Sequence, residues 1–446
     1  MCRKIRNFSK YLSKFVSDER IEAIAKASSF KKRKSVISPK AFLDVVFFSN
    51  NGKCPSLSEY SIDLAHHHGV SVSKQALDKR FNKNTKQMLA GLLQEVLTQQ
   101  MAHNSEESIP SSWFTDIRIM DSSEFKVSKK VADTFPGYGG EGREASVQIQ
   151  FEYQLLGSKV TEISIGSSRD SDSIEGMKNI EKVPPKTLLL RDLGYFSPKA
   201  FKELSSKDIY FISRAKSQWN FYILKEGEYS LLPTASIISL LKEKKERYLD
   251  MDVYVGEKTR TKVRLVANLL TKEQKQKRLR KKSANRKLGT DVLEAIGLNL
   301  FVTNVEREKC TASQIYDLYT LRWQVELVFK TWKSVMRLHK IHPVNATRLE
   351  CIILIKLLWV MLNWTFLNHL KNLTQKDLSF HKLVSTLQGR SKVLTLPVLQ
   401  NSHRLIEWLT DLYRISNAFH EKEYKKGQKK VSDILTKTYL NVVLNQ

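Results

Sequence analysis

The chain has 446 residues, enough for about three domains of ordinary size, and its 41% hydrophobic and 27% charged residues are those of a globular protein. Seventy-four Lys and Arg against 46 Asp and Glu leave a net charge of +28, which favours a polyanionic partner, nucleic acid or an anionic membrane, and argues against an acidic disordered regulator. The four cysteines, Cys2, Cys54, Cys310 and Cys351, lie far apart without C-x-x-C spacing, which argues against a disulfide scaffold or thiolate zinc site and suits a reducing cytosol.

The N-terminal stretch MCRKIRNFSKYLSKF is basic and lacks the apolar run of a secretory signal. The first 110 residues read as a helical, basic domain. Within it, Leu57, Ile62, Leu64 and Ala65 precede a Gly69-Val70-Ser71 turn. A second helix then starts from a Ser73 cap, with Ala76, Leu77 and Phe81 inward. Two helices around a short glycine turn resemble a helix-turn-helix, which would present Lys74, Gln75, Asp78 and Lys79 to a DNA groove; an ordinary helical hairpin is the alternative. His66, His67 and His68 point about 100° apart on a helix and cannot converge on one metal ion.

From about residue 111 the period changes from helix to strand. Ile117 and Ile119 alternate with polar residues in a strand that ends on Asp121. Val147, Ile149, Phe151, Tyr153 and Leu155 alternate with Gln148, Gln150, Glu152 and Gln154, the pattern of a strand with one buried and one wet face. A turn at 156–159 and a return strand through Ile163 and Ile165 complete a hairpin. A helix over Met177–Glu181, a buried strand LLLR ending on Asp192, a helix capped by Ser197-Pro198 and a strand at Ile209–Ile212 come next. The order predicts a mixed α/β sheet with helices packed on it.

Residues 217–297 interrupt this domain with short β-like runs and a basic run. Nine of the sixteen residues from Lys272 to Lys287 are Lys or Arg, Arg278, Arg280, Lys281 and Lys282 among them, against one Glu. A solvated loop or a DNA-backbone contact would both account for it. Leu298–Val305 returns to strand, and a long helix runs from Ala312 to Arg337. One face of that helix carries Leu318, Leu321, Val325, Val328, Phe329, Trp332 and Met336; the opposite stripe carries Tyr319, Arg322, Trp323, Glu326, Lys330 and Lys333. Residues 351–446 read as a helical C-terminal domain. Its segment Cys351–Leu370 is long and apolar enough to span a bilayer, but Lys356 within it favours a buried helix and no membrane.

Asp121 and Asp192 at strand ends, with no thiolate nearby, point to a hard cation, Mg²⁺ or Mn²⁺. By themselves, two such carboxylates are also common structural features. The spacing Tyr319-x2-Arg322-x3-Glu326-x6-Lys333 resembles the Tyr-Arg-Glu-Lys signature of DDE transposases from bacterial insertion sequences. IMDSSEF (119–125) and RDLGYFS (191–197) are similar to the two aspartate motifs of that family.

The resemblance spans about 110 to 340. It implies a ribonuclease-H-like core with a β-rich insertion, flanked by helical domains, and a metal-binding triad of Asp121, Asp192 and Glu326. Tyr319, Arg322 and Lys333 would meet DNA phosphates by that similarity, and Lys330, a cation on the same helix stripe, is a further candidate for phosphate contact. The resemblance further implies cutting at the element's terminal inverted repeats and joining of the 3′-hydroxyls to target DNA. Such a protein would act on double-stranded DNA as a homodimer, in the cytoplasm on the nucleoid. Two metal ions can run that displacement without a protein nucleophile. One departure concerns a tryptophan that some relatives carry for stacking a flipped base: Leu298, Asn299 and Leu300 stand there, and Trp323 suits packing. A non-catalytic DNA-binding descendant or a nuclease without joining are the alternative readings.

Overall fold

The structure, a computed structural model, describes residues 2–444 except 16, 32–34, 49–54, 103–112, 140–143, 156, 179, 196, 216–218, 244–245, 284–295, 391–393, 395 and 426. Its centre is one mixed sheet of β1 (Asp116–Lys126), β2 (Ser146–Gln154), β3 (Val160–Ser167), β4 (Thr187–Arg191), β5 (Tyr210–Arg214), β6 (Phe221–Lys225), β7 (Glu228–Leu232), β8 (Leu249–Val255), β9 (Thr261–Leu269) and β10 (Leu298–Thr303). The order is β3-β2-β1-β4-β5-β10-β9-β8-β6-β7. β1, β2 and β3 form an antiparallel meander, while β4 and β5 run parallel to β1. This is the ribonuclease-H-like arrangement expected from the resemblance.

The β-rich insertion is part of this sheet. Its strands β6 to β9 extend the same sheet, because β10 pairs with β9 on one side and with β5 on the other. Contacts between strands so distant in sequence leave no periodic trace in either partner.

One departure from the sequence pattern concerns β2. The alternation in 147–155 predicts a wet polar face, yet all of β2 from Ser146 to Tyr153 is buried. Gln148, Gln150 and Glu152 lie under the Asp172–Lys178 helix and the turn after β4: the two glutamines donate to Asp172, Gln150 accepts from Tyr195, and Glu152 accepts from Arg191.

β1 also runs on past Asp121 to Lys126, so this carboxylate stands in mid-strand rather than at a strand end. Asp192 does come directly after its strand.

The long helix expected over 312–337 is two helices, Ala312–Thr320 and Trp323–Ser334. At the joint the backbone bonds tighten to i−3: Leu321 N–H to Leu318 O, Arg322 N–H to Tyr319 O and Val325 N–H to Arg322 O. Such an overwound turn rotates the second helix relative to the first. The apolar stripe nevertheless stays buried, from Leu318 through Met336.

In the N-terminal region Leu57–His68 and Lys74–Asp78 form the expected helix pair. Gly69 stands between them at φ +63°, a left-handed cap that a side chain would strain. Ser73 caps the second helix through Ala76 N–H. Tyr60, Leu64, Leu77 and Phe81 are the buried residues of the pair, whereas Ile62 and Ala76 face outward. Helix 346–374 is a core helix: 89% of its most apolar window is buried. Lys356 inside it is solvated by backbone, its Nζ donating to the carbonyls of Arg337 (2.9 Å) and Lys340 (3.3 Å).

Candidate active site

Parallel pairing of β1 with β4 sets Met120 against Arg191, so the next residues along, Asp121 and Asp192, become neighbours on adjacent strands. Asp121 shares the face of its partner Phe151, whose ring packs at 5.0 Å from Trp332. That contact seats the Trp323–Ser334 helix over β1 and turns Glu326 toward the aspartates.

Arg322, at the joint between the two helices, ties the group together. Its Nη1 donates to Asp121 Oδ2 at 2.7 Å and its Nη2 to Glu326 Oε1 at 2.6 Å. The Tyr319 hydroxyl, one turn earlier, donates to Asp192 Oδ1 at 3.3 Å, and its ring packs 4.9 Å from Phe301. The three carboxylates drawn from residues 121, 192 and 326 therefore meet within reach of one guanidinium and one phenol.

The electrostatics reflect that crowding. Burial pushes the Asp121 carboxyl up to about 6; Arg322 and the Ser122 N–H pull against this, while Asp192 and Glu326 add to it. Burial alone would lower Arg322, yet Tyr319, Asp121, Asp192 and Glu326 together hold it above its ordinary value. Burial, then the charge of Asp192, raises Tyr319.

An all-carboxylate donor set suits a hard divalent cation. Among the described residues no three His, Cys, Asp or Glu side chains stand close enough to hold an ion as they are; the guanidinium between Asp121 and Glu326 supplies the positive charge. The donors fit a cation in kind.

Lys330 and Lys333 lie one and two turns beyond Glu326 on the same side and are exposed. At the joint between the two helices opens a cavity of about 390 Å³ lined by Arg214, Lys277, Asn299, Tyr319, Arg322 and Trp323, among others. Trp323 is 54% exposed at its rim, the reverse of the packing role its sequence position suggests.

The basic run forms a helix, Lys272–Ser283. Arg280 on it is exposed. Arg278 instead turns inward, its Nη2 donating to Asn299 Oδ1 at 2.5 Å and its Nη1 to the carbonyls of Ile296 and Leu298. It fastens the helix to β10. The side chains of Lys281 and Lys282, and the run's end at 284–287, lie outside the described residues. Lys74, Gln75 and Lys79 are exposed on the short second helix of the N-terminal pair; Asp78 beside them bonds Arg348 Nη1 at 3.0 Å.

Sequence reasoning missed the layer behind the aspartates. Glu152 Oε2 accepts from Arg191 Nη2 at 2.7 Å, and Gln150 Oε1 accepts from the Tyr195 hydroxyl at 2.6 Å. The strict alternation of four polar residues in β2 was the available clue, and it reads equally well as a solvated face.

Comparison with known proteins shows the family to which the chain belongs. Residues 112–362 match the family model described as a transposase DDE domain. The chain is 29% identical to the transposase for insertion sequence element IS231F of Bacillus thuringiensis subsp. israelensis, over 98% of this chain and 96% of the relative. It is 28% identical to the transposase for IS1151 of Clostridium perfringens, over 96% of each. A solved piggyBac transposase synaptic complex with hairpin DNA aligns with 95% of this chain and 87% of its own, at 11% identity and a TM-score of 0.48.

Proposed function

From the premise that this chain belongs to the transposase DDE domain family, and is thus a DNA transposase of the insertion-sequence kind, we propose that it excises its own element and joins the freed 3′-hydroxyl ends to target DNA. The observation that carries this reading is the convergence of Asp121, Asp192 and Glu326 on Arg322 and Tyr319. In the proposal these three carboxylates hold two divalent cations, Mg²⁺ or Mn²⁺.

Once bound, such cations activate a water or 3′-hydroxyl and stabilise the leaving oxygen of an in-line phosphoryl displacement. The remaining steps belong to the chain. Arg322 releases Asp121 and Glu326 and turns its fork to the phosphate beside the scissile bond, a bidentate partner of the same geometry. Tyr319 adds a hydrogen bond to the same backbone. Lys330 and Lys333 neutralise neighbouring phosphates. Lys74, Gln75 and Lys79 reach a groove of the terminal repeat, and Arg280, Lys281 and Lys282 track the backbone further out. A homodimer pairing two ends, working on the nucleoid in the cytoplasm, goes with this reading.

The test is Glu326→Ala. DNA binding to the element end survives and Mg²⁺-dependent cleavage disappears; retained cleavage would discard the triad. Joining of a pre-cut 3′-end to plasmid by the wild-type chain then separates a transposase from a nuclease that stops at cutting.

A further inference from the structure

Strand β2 buries four polar side chains, Ser146, Gln148, Gln150 and Glu152, on the sheet face turned away from the active carboxylates. Burying polar and charged groups costs free energy that apolar replacements of similar shape would avoid. A layer of this kind therefore contributes geometry more than stability, and its bonds converge on one short stretch of chain.

Arg191 immediately precedes Asp192, and Tyr195 lies three residues after it. Arg191 is held by Glu152 Oε2 (2.7 Å) and Tyr195 by Gln150 Oε1 (2.6 Å), two residues apart on the same face of one strand. Gln150 cannot turn away, because its amide nitrogen donates to Asp172 Oδ1 at 2.9 Å. The other Arg191 nitrogen, Nη1, donates to Gly176 O at 2.8 Å. Gly176 itself packs so closely on the turn that a Cβ there would lie 3.1 Å from Tyr195 Cδ1 and 3.2 Å from Tyr195 O.

We infer that Arg191 and Tyr195 are positioning residues for Asp192, clamping the turn that carries its carboxylate at both ends onto Glu152 and Gln150 of β2. The same layer reaches Asp121: Gln148 Nε2 donates to Ser122 Oγ at 2.8 Å, and the Ser122 N–H holds Asp121 Oδ1 at 2.9 Å. Residues behind metal ligands set ligand orientation and with it affinity. The inference rests on the reading of Asp192 as a metal ligand.

Mn²⁺ binding to the full chain without DNA, monitored by the electron spin resonance of free Mn²⁺, tests it. Tyr195→Phe removes only the hydroxyl. It weakens Mn²⁺ about tenfold, shifts the melting temperature by no more than a few degrees and leaves affinity for element-end DNA unchanged. Gln150→Leu gives the same loss, and the double variant loses no more than either single, since both break one clamp. Glu152→Gln, which keeps an oxygen for Arg191, loses less than Glu152→Leu.

A lower melting temperature with unchanged Mn²⁺ affinity would overturn the clamp, as would losses that multiply in the double variant. Tyr195→Phe decides alone if Gln150→Leu does not fold. Asp192→Ala separates the two levels: if it abolishes Mn²⁺ binding while Tyr195→Phe does not weaken it, the clamp alone fails. If Asp192→Ala leaves Mn²⁺ affinity intact, the metal reading of the site fails with it.

Discussion

Asp121 is the residue whose environment is most at odds with its charge. Burial raises its carboxyl to about 6 from 3.8, and Arg322 is the chief influence pulling it back. A raised acid binds its proton more tightly in the folded than in the unfolded chain, so its contribution to stability is present below about pH 4 and lost as pH climbs through about 6. A shift of about two units is worth about 3 kcal/mol. In metal-free protein, the unfolding free energy of wild type relative to Asp121→Asn therefore falls by about 2–3 kcal/mol between pH 4 and pH 7. Urea unfolding of the two chains at several pH values measures it, and a difference independent of pH would mean that the carboxyl is well solvated. The same crowding explains why Arg322 bridges the carboxylates: its charge offsets the burial that raises Asp121.

At the scale of elements, the basic helix Lys272–Ser283 divides into two kinds of residue. Lys272, Lys277 and Arg280 face outward, whereas Arg278 is spent on β10. Replacing those three by Gln flattens the slope of log K against log salt for end DNA by up to about 2.7, at about 0.9 per phosphate. Arg278→Gln leaves the slope near its wild-type value and lowers the melting temperature instead. An unchanged slope in the triple variant would remove the helix from the DNA interface. Local patterns made much of the architecture legible: the β2–β3 hairpin and the apolar face of 318–336 come from repeats of 2 and 3.6, and Asp192 directly after β4 comes from a continuous apolar run. What was illegible depends on partners. Whether the polar side of β2 is wet or covered turns on a helix twenty residues away. At the tight joint Arg322 bonds Asp121, 201 residues earlier, and the insertion joins the sheet through pairing of β10 with β9.

For the whole molecule, the expected boundaries near 110 and 350 cut through a continuous core. Leu12, Phe42 and Leu89 from the N-terminal helices, Phe151, Val325 and Trp332 from the catalytic region, and Trp359, Phe366 and Leu412 from the C-terminal helices belong to one buried cluster. Trp364 illustrates the coupling: its ring lies 5.7 Å from Phe151 and 5.3 Å from Tyr153, and its Nε1 donates to Ser158 O at 2.6 Å. Stripping away a buried Leu or aromatic partner costs about 2–5 kcal/mol each, and a domain's net stability is about 5–15 kcal/mol. A chain cut to 111–350 loses many such partners at once. It therefore exposes the helix side of the sheet, binds a hydrophobic dye and lacks a near-ultraviolet circular dichroism band, while the full chain unfolds with its N- and C-terminal helices in step. A monodisperse 111–350 fragment with native near-ultraviolet signal would show instead that the flanking helices are separable. In that case the core contacts of Trp364 and Phe151 would be a docking surface between domains rather than part of the fold that holds Asp121 and Glu326 together.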